Sequence, residues 1–358
     1  MKSLLFLLLC LWSVSAQDLD LFSRIEPLPP GNRFAEEGYH VWCGAPVKGG
    51  DGKYHLFYSR WPEKATFAPG WALQSEIAYA VSDKPQGPYR HVNVALGKRP
   101  INPKTGKKFW DGDATHNANA FYHDGKYYLY YMGNHGDGKS YPMHRNNQRI
   151  GVAVASNPAG PWQRFDQPIV DVSANPKDFD SLCVTNPAAC IRPDGGVLLI
   201  YKAVQIIPGK EMGGNVRYGA AMASKPLAPY RKQKGKIFEA PKGSHHWMVA
   251  EDPFLWYSAR YGNRYYAVTR DVVGTFSGAS GGLCLFESKD GLDWQPASHP
   301  KVLGLEYAVA DGSKRKKIER PALLIENDEP TYLFGAADGY PPRGRRSSNV
   351  QIPIRPQP

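Results

Sequence analysis

A short phrase that begins with a turn dipeptide and continues as a run of Tyr, Leu and Phe occurs five times along this chain. The copies are Asp51-Gly-Lys-Tyr-His-Leu-Phe-Tyr, Asp124-Gly-Lys-Tyr-Tyr-Leu-Tyr-Tyr, Asp194-Gly-Gly-Val-Leu-Leu-Ile-Tyr, Gly262-Asn-Arg-Tyr-Tyr-Ala-Val and Asp328-Glu-Pro-Thr-Tyr-Leu-Phe, and successive copies begin 66 to 73 residues apart. Asp-Gly before aromatic and β-branched residues is typical of a hairpin turn that leads into a strand. A long, regular period with several strands in each copy is typical of propeller blades. The sequence therefore predicts an all-β fold, a five-bladed β-propeller.

A second repeated phrase supplies the next strand of most blades. It begins at Ile77, Ile150, Tyr218 and Leu283, and in the first three copies it runs into a Pro-rich turn that ends in an aromatic residue. The fifth copy is missing at the expected distance. We expect Ser348-Asn-Val-Gln-Ile-Pro-Ile to form the third strand of the last blade, and the stretch from Leu19 to Arg33 to add its outer strand and close the ring.

The first residues have the pattern of a secretory signal peptide. Lys2 provides a charged start, an apolar run follows from Leu4 to Trp12, and Val14-Ser-Ala ends in small residues that suit cleavage. The apolar run is too short to span a bilayer. We therefore expect a signal peptide at residues 1–16, a single catalytic propeller domain at residues 17–358, a secreted or periplasmic location, and no membrane contact after cleavage.

The chain is strongly basic, with 44 Lys and Arg against 33 Asp and Glu and a net charge of +11. Much of the excess lies in loops such as Lys314-Arg-Lys-Lys and Arg343-Gly-Arg-Arg. Such loops are a solvated surface in one interpretation, and attract an acidic or sulfated polysaccharide in the other. No nucleic-acid recognition module is present in the sequence, so nucleic acid is not expected as a partner.

The cysteines define no metal site. Four remain after cleavage, namely Cys43, Cys183, Cys190 and Cys284, and they allow three complete disulfide pairings or four buried thiols. No Cys-x-x-Cys spacing suggests zinc. We expect no required cofactor, although the axial funnel of a propeller has room for a structural ion.

The innermost strand of each blade precedes the hairpin phrase. Aligned on a shared Pro, or on Ala118 in its place, the residue pairs before it are Gly44-Ala45, His116-Asn117, Thr185-Asn186, Glu251-Asp252 and Glu319-Arg320. A purely structural strand would carry Val or Ile at such positions. The sequence therefore predicts a mostly polar ring where the five strands meet at the axis.

Carboxylates are concentrated in and near this ring. Glu251, Asp252 and Glu319 belong to it, and Asp111 and Asp113 precede the strand of the second blade. Carboxyl groups crowded into one funnel acquire different pKa values, so that one can hold a proton while another is ionised. Hydrolysis of a glycosidic bond requires such a pair. The competing interpretation of any single carboxylate is a salt bridge, for example between Glu319 and the neighbouring arginine.

These motifs resemble a known group of enzymes. The sequences His-Asn-x-Asn-Ala-Phe-Tyr-His-Asp-Gly-Lys-Tyr-Tyr-Leu, Glu-Asp-Pro-Phe-Leu-Trp and Ser-x-x-Pro-x-Gly-Pro-Trp are similar to those of the five-bladed propeller glycoside hydrolases of families 43, 32 and 68, and more distantly of families 117 and 130. The resemblance extends over nearly all of residues 17–358. It implies a propeller enzyme that acts on carbohydrate.

The order of the carboxylates departs from families 43, 32 and 68, which place theirs on the first three blades. Here the first and third blades offer Gly44-Ala45 and Thr185-Asn186, whereas carboxylates occur on the second, fourth and fifth. This order is more similar to family 117, which acts on terminal anhydrogalactose of red-algal galactans. That family is thought to recruit a His as acid, a role that the resemblance would give to His116 or His246.

We assign the following roles as hypotheses. Asp113 is the expected base, with Asp111 as second choice, and Glu251 is the expected acid, with Glu319 or His116 in competition. Asp252 is expected to tune the acid and to bond sugar hydroxyls. Expected substrate contacts are Asp111, Asn117, Asn186, Arg320, His246, Trp247 and Trp42. For Trp42, Trp110 and Trp247, stacking on a sugar and packing in the core are both open.

The predicted function is a secreted, exo-acting glycoside hydrolase that cleaves a terminal sugar from a plant or algal oligosaccharide or polysaccharide. One form of this prediction is that the substrate is anionic or sulfated. One alternative is a phosphorylase similar to family 130, with Arg320, Lys202 and Arg60 holding phosphate. The other is a propeller that binds sugar without catalysis.

Overall fold

The computed structural model describes residues 18–239, 246–338 and 346–357, in which five antiparallel sheets form the blades. A short strand, β1 (Arg33–Phe34), precedes the first blade. The first blade consists of β2 (Tyr39–Lys48), β3 (Tyr54–Pro62), β4 (Glu76–Ser82) and β5 (Arg90–Leu96). The second consists of β6 (Ala114–His123), β7 (Lys126–Asn134) and β8 (Arg149–Ala155). The third consists of β9 (Cys183–Ile191), β10 (Val197–Val204), β11 (Val216–Ala223) and β12 (Arg231–Lys232).

The fourth blade consists of β13 (Ala250–Ser258), β14 (Arg264–Asp271), β15 (Gly282–Ser288) and β16 (Gln295–Leu303). A separate hairpin of β17 (Glu306–Ala308) and β18 (Lys314–Lys316) leads into the fifth blade, which contains β19 (Glu319–Glu326), β20 (Glu329–Ala337) and β21 (Ser348–Pro353). The five-bladed propeller predicted from the repeat is confirmed. The predicted signal peptide at residues 1–16 lies outside the described residues, as do Arg343 and Arg345 of one basic loop.

Both ends of the chain meet in the fifth blade. Strand β1 pairs with β21, with Arg33 opposite Val350 and Phe34 opposite Asn349. A further bridge joins Ile25 to Ile354. The expectation that the N-terminal stretch supplies the outer strand of the last blade is therefore confirmed. The ring is closed by hydrogen bonds between segments more than 300 residues apart.

The hairpins and the interfaces between blades follow from local sequence. At the turn between β6 and β7, Asp124 and Gly125 both have positive φ, at 48° and 74°, which is the type I′ geometry that matches the twist of the strands. The aromatic and aliphatic residues after each turn are buried between neighbouring sheets. One such cluster joins Tyr130 and Val152 of the second blade to Val184 and Leu199 of the third.

Every inner strand contains a β-bulge at the axis. One residue of each has positive φ although none is Gly: Cys43 (52°), Asn117 (56°), Asn186 (47°), Asp252 (58°) and Arg320 (55°). The pairing of each inner strand with its neighbour shifts register at or beside this residue. A bulge bends a strand and re-aims its side chains. Here it turns the five side chains toward the propeller axis, and we call these five residues the axial ring.

In the structure, the first blade is shifted by two residues from its sequence alignment with the other blades. Alignment on Pro46 gave Gly44-Ala45, but the bulge occurs at Cys43, so Gly44 occupies the place that Pro187 has in the third blade. A Cβ atom on Gly44 would lie 2.4 Å from the side-chain nitrogen of Asn349, which explains why Gly stands there. The first blade therefore contributes Trp42 and Cys43 at the positions where the other four blades have pairs of polar residues.

Two short helices connect the second and third strands of the first two blades. They are α1 (Phe67–Gln74) and α2 (Tyr141–Asn146), and both lie at the end of the propeller where the inner strands begin. A single 3-10 turn at Phe22–Arg24 precedes β1. Among the described residues, no helix is long and apolar enough to cross a membrane.

Candidate active site

The axial ring closes the floor of the funnel with a chain of hydrogen bonds. The Cys43 thiol donates to Asn117 Oδ1 over 3.2 Å, and the Asn117 amide donates to Asn186 Oδ1. Asn186 Nδ2 then donates to Asp252 Oδ1 over 2.6 Å, and the Arg320 guanidinium donates to the same oxygen. All five blades therefore take part in one polar network across the axis.

The residue before each axial-ring residue faces the funnel. These five, which we call the upper ring, are Trp42, His116, Thr185, Glu251 and Glu319. All of them line a pocket of about 1200 Å³, counted to its open mouth. A smaller cavity lies on the other side of the axial ring. The pocket therefore has walls from all five blades and a closed base.

Glu251 is held as an anion by two cations. Its Oε1 is 2.7 Å from Lys202 Nζ, and its Oε2 is 2.7 Å from Arg270 Nη1. Burial on its own would raise the pKa of Glu251, but the charges of Lys202 and Arg320 outweigh burial and bring the pKa to about 2. A carboxylate with this pKa is ionised near neutral pH, so it can stabilise a nearby positive charge but has no proton to donate.

Asp252 follows Glu251 in sequence but has the opposite electrostatics. Both Asn186 and Arg320 contact its Oδ1, and its backbone N–H donates to the Tyr218 hydroxyl over 3.0 Å. Burial raises the pKa of Asp252 to about 6, because the effect of Arg320 is opposed by the nearby charge of Glu251. Two neighbouring carboxyl groups with pKa values pushed apart are the pattern of an acid and its ionised partner.

Glu319 shares a cation with Glu251. Arg270 Nη1 is 2.7 Å from Glu251 Oε2 and 3.4 Å from Glu319 Oε1, so those two oxygens are at most about 6 Å apart. Lys317 Nζ lies 2.8 Å from the same Glu319 oxygen. The fourth and fifth blades therefore form a charged wall of alternating cations and carboxylates.

His116 is buried and electrically neutral. Its Nδ1 lies 2.7 Å from Ser75 Oγ, and its Nε2 lies 3.6 Å from Cys43 Sγ. Burial lowers the pKa of His116 well below its usual range, and the charge of Arg320 lowers it further. A histidine with this pKa orients a ligand or a neighbour but carries no proton to donate as a cation.

The opposite wall of the pocket is aromatic. The rings of Trp71 and His116 have centroids 5.4 Å apart, and Trp71 also contacts Tyr141 edge-on at 5.9 Å. Trp71 lies on α1 and Tyr141 begins α2, so the two helices carry this wall. Trp42, Trp61 and Phe67 complete it. A sugar ring in the pocket would have aromatic faces on one side and charges on the other.

The two carboxylates proposed as base lie away from the pocket. Asp111 is fully buried between Arg99 at 3.1 Å and Arg164 at 2.6 Å, and it also accepts from the Tyr131 hydroxyl. Asp113 lies outside the pocket lining, where the Lys108 ammonium and the Gly136 N–H hold it. Neither is among the described residues that line the pocket. Asp111 is therefore part of a structural ion network, and the assignment of Asp113 as base has no support from its position.

Other predicted site residues divide between pocket and scaffold. Asn186, Arg320, Trp42 and Trp247 line the pocket, and 59% of Trp247 is exposed. Asn117 lies in the axial ring and borders the cavity beneath it. His246 is not among the described lining residues, and its backbone oxygen accepts from Arg217.

The surroundings of Trp110 and of the four cysteines distinguish between the alternatives that the sequence left open for them. Trp110 stacks on Tyr131 with ring centroids 5.5 Å apart, so it is a core residue. The four cysteines are buried free thiols: Cys43, Cys183, Cys190 and Cys284. Among the described residues, no group of three or more His, Cys, Asp or Glu is arranged to hold a metal.

Three charged residues of the pocket were missed, or assigned differently, by sequence reasoning. Lys202 and Arg270 both lie on the second strand of their blades, directly opposite Thr185 and Glu251 of the upper ring. Lys202 and Arg270 are as far apart in the sequence as the third and fourth hairpin phrases. Aligning the second strands by the same repeat would therefore have found both residues. Arg145 lies on the irregular connection that contains α2, where no repeat exists to guide an alignment.

Several solved structures with a similar fold are glycoside hydrolases. No protein-family model and no curated protein sequence matches the chain. The fold is similar to that of Zg3597, a family 117 glycoside hydrolase of Zobellia galactanivorans, at 18% identity and a TM-score of 0.63 over 93% of this chain and 91% of that one. A thermostable family 43 glycoside hydrolase is 15% identical, with a TM-score of 0.60 over 91% and 92% of the two chains.

An endo-arabinase from Bacteroides thetaiotaomicron is 11% identical, with a TM-score of 0.55 over 88% of this chain and 94% of that one. At such identities the likeness concerns the fold. The chain therefore shares the five-bladed propeller of glycoside hydrolase families 117 and 43, as its motifs predicted. The pocket at its axis combines carboxylates of opposite pKa shift with an aromatic wall.

Proposed function

We propose that this chain is an exo-acting glycoside hydrolase that removes a terminal sugar from a plant or algal oligosaccharide or polysaccharide. The observation that carries this proposal is the pair Glu251 and Asp252, whose pKa values of about 2 and about 6 lie on opposite sides of the ordinary carboxyl range. Glycosidases need one carboxyl that is protonated and one that is ionised at the same pH. The similarity of the fold to glycoside hydrolases supports the same assignment.

The chemistry divides between the two residues. Asp252 donates its proton to the glycosidic oxygen as the bond to the leaving group breaks. Glu251, ionised throughout, stabilises the positive charge that develops on the sugar, and either attacks the anomeric carbon or aligns a water molecule. The anomeric configuration of the released sugar distinguishes these two routes. Arg320 and Asn186 are positioning residues because they hold Asp252 Oδ1 at the base of the pocket.

The shape of the pocket supports exo action. The axial ring closes its base, so a polysaccharide chain cannot pass along the axis, which favours binding of a chain end. The aromatic wall around Trp71 offers a face on which that terminal sugar stacks. We further propose that the protein is secreted or periplasmic, as the pattern of residues 1–16 predicts.

Phosphorolysis receives less support than hydrolysis. Of the three residues that would hold phosphate, Arg60 pairs with Glu36 and Glu76 and is not among the described pocket residues. Lys202 and Arg320 do line the pocket, but Glu251 and Asp252 already pair with them.

The test is a screen of red-algal, pectic and hemicellulosic oligosaccharides in which released sugars are identified by chromatography. We expect one monosaccharide from the chain end, and loss of turnover by about 10²- to 10⁴-fold in Asp252→Asn. Glu251→Gln should lose at least as much, whereas the surface variant Glu306→Gln should keep full activity. If Asp113→Asn loses turnover as completely as Glu251→Gln, the ionised partner is Asp113 instead.

Two other outcomes would overturn the assignment. Binding of oligosaccharides without any turnover would make the protein a sugar-binding propeller. Accumulation of a sugar phosphate in phosphate buffer, with acceleration by phosphate, would make it a phosphorylase.

A further inference from the structure

The cations of the pocket outnumber its carboxylates. The described lining residues include Arg145, Lys202, Arg270 and Arg320 against Glu251, Asp252 and Glu319. His116 adds no charge, because burial keeps its pKa well below its usual range. Lys202 and Arg270 are paired with Glu251, and Arg320 is paired with Asp252. The unmatched positive charge therefore belongs to Arg145.

Arg145 has no carboxylate partner of its own. It lies in the last turn of α2, half-buried, and its Nη1 donates to Asn146 Oδ1 and to the Met212 carbonyl, each over 3.0 Å. No ion pair of Arg145 occurs within the described residues, and the segments outside them contain no Asp or Glu. A half-buried guanidinium that faces a pocket without an anion is available to a ligand.

A second observation on the same side of the pocket points to a ligand. Gln148 follows three residues after Arg145, lines the pocket and is only 2% exposed. Its Nε2 has no hydrogen-bond partner among the described residues. A buried amide donor without an acceptor costs folding free energy, so its presence in a pocket suggests that a ligand oxygen completes it.

The charged wall offers further unused donors. The Nε atoms of Arg270 and Arg320 are buried in the pocket lining and likewise have no hydrogen-bond partner among the described residues. Glu319 Oε1 on the same wall also lacks a hydrogen bond, although Arg270 and Lys317 form ion pairs with it, so among the described lining residues the unused donors outnumber the unused acceptors. A ligand rich in oxygen and carrying negative charge would satisfy both the donors and the uncompensated cation.

We propose that the pocket selects its substrate by an anionic substituent on the sugar, a carboxylate or a sulfate ester, and that Arg145 is the residue that recognises it. This inference rests on the proposed hydrolase function and specifies its substrate class. Arg320 is not the recognition residue, since it is already committed to Asp252. Gln148 contributes a neutral hydrogen bond beside Arg145, and Trp247 at the mouth offers an exposed ring to the same sugar or its neighbour.

The experiment compares matched substrates. The probes are oligogalacturonides and their carboxyl-reduced counterparts, and sulfated carrageenan oligosaccharides and their desulfated counterparts. Hydrogen bonds to a charged group predict a preference of about ten- to a hundredfold in kcat/KM for the charged member of one pair. The pair that shows the preference distinguishes a carboxylate from a sulfate.

Variants then assign the preference to a residue. Arg145→Gln should reduce the ratio between charged and neutral substrate toward one, and Arg145→Lys should restore part of it, because Lys keeps the charge without the planar fork. Arg192→Gln is the matched control, since Arg192 pairs with Asp194 at the hairpin on the opposite end of the third blade. This control should leave the ratio unchanged.

The failure of this inference and the failure of the hydrolase function give different results. Equal kcat/KM on both members of each pair overturns the role of Arg145 while the hydrolase stands. If nothing is hydrolysed, calorimetric binding of the charged oligosaccharides decides: binding that Arg145→Gln abolishes supports the anionic pocket and refutes the hydrolase. No binding of any charged oligosaccharide, or a preference that Arg145→Gln leaves intact, overturns the inference.

Discussion

Replacing Glu251 with Gln tests whether this side chain is an anion held by the cations around it. In the folded protein its pKa is about 2, against an ordinary value of 4.5. That difference corresponds to about 3 kcal/mol of folding free energy at neutral pH. Because the folded-state pKa is lowered, the contribution is present above the ordinary pKa and is lost as the pH falls through the folded-state value.

We therefore expect the native protein to be more stable than Glu251→Gln by about 3 kcal/mol at pH 7, and this gap to shrink by about 2 kcal/mol at pH 3. The measurement is urea unfolding followed by circular dichroism at pH 3, 5 and 7. Taking the difference between native and variant at each pH cancels the other titrating groups, and no substrate is needed.

The control is Glu306→Gln on the hairpin of β17 and β18. Glu306 is exposed and pairs with Lys314 and Lys316 at 3.9 and 3.3 Å, so its loss should cost less than about 1 kcal/mol at any pH. A gap for Glu251→Gln that stays constant between pH 7 and pH 3 would refute the reasoning. It would mean that Glu251 does not titrate below its ordinary range, and the division of roles with Asp252 would lose its basis.

Three further predictions concern other parts of the molecule. Turnover should fall as the pH rises through about 6, because Asp252 then loses the proton that it donates, and a pH–rate profile that stays flat between pH 5 and 8 would contradict that role. Asp111→Asn should lower the free energy of unfolding by about 3–5 kcal/mol, because Arg99 and Arg164 lose their buried anion, and thermal unfolding at pH 7 measures this; an unchanged melting temperature with lost turnover would return Asp111 to the site. Trp71→Ala should raise KM about tenfold and change kcat little, since it removes a stacking face, and steady-state kinetics with an unchanged KM would exclude Trp71 from substrate binding.

The fold could be predicted from the sequence because its signals are local and repeated. Asp124-Gly125 forms the hairpin turn that its residue types favour, and the same phrase recurs at each blade. The closing strand was also predictable, since the last blade lacked one strand at its regular place and Arg33 ends the stretch from Leu19 that was left over at the other end. The one alignment error, at Cys43, arose because a Pro was matched where the structure is determined by a bulge.

The candidate site could be predicted only in part. The repeat identified Glu251, Asp252 and Glu319 as neighbours at the axis, and all three line the pocket. The repeat also predicted that Asp111 and Asp113 lie close to these three carboxylates, because both residues precede an inner strand. Their side chains point instead to Arg99, Arg164 and Lys108, which no periodicity connects to them.

By itself, the sequence determined five blades and the polar character of their inner strands, because turn chemistry and strand propensity depend on residues near in the chain. The tertiary structure alone decided what those polar residues do. Glu251 and Asp252 are adjacent, yet the pKa of one is lowered to about 2 and that of the other raised to about 6. A pKa depends on the charges and burial around a group in space, and here Lys202 and Arg270 reach Glu251 from strands of two different blades.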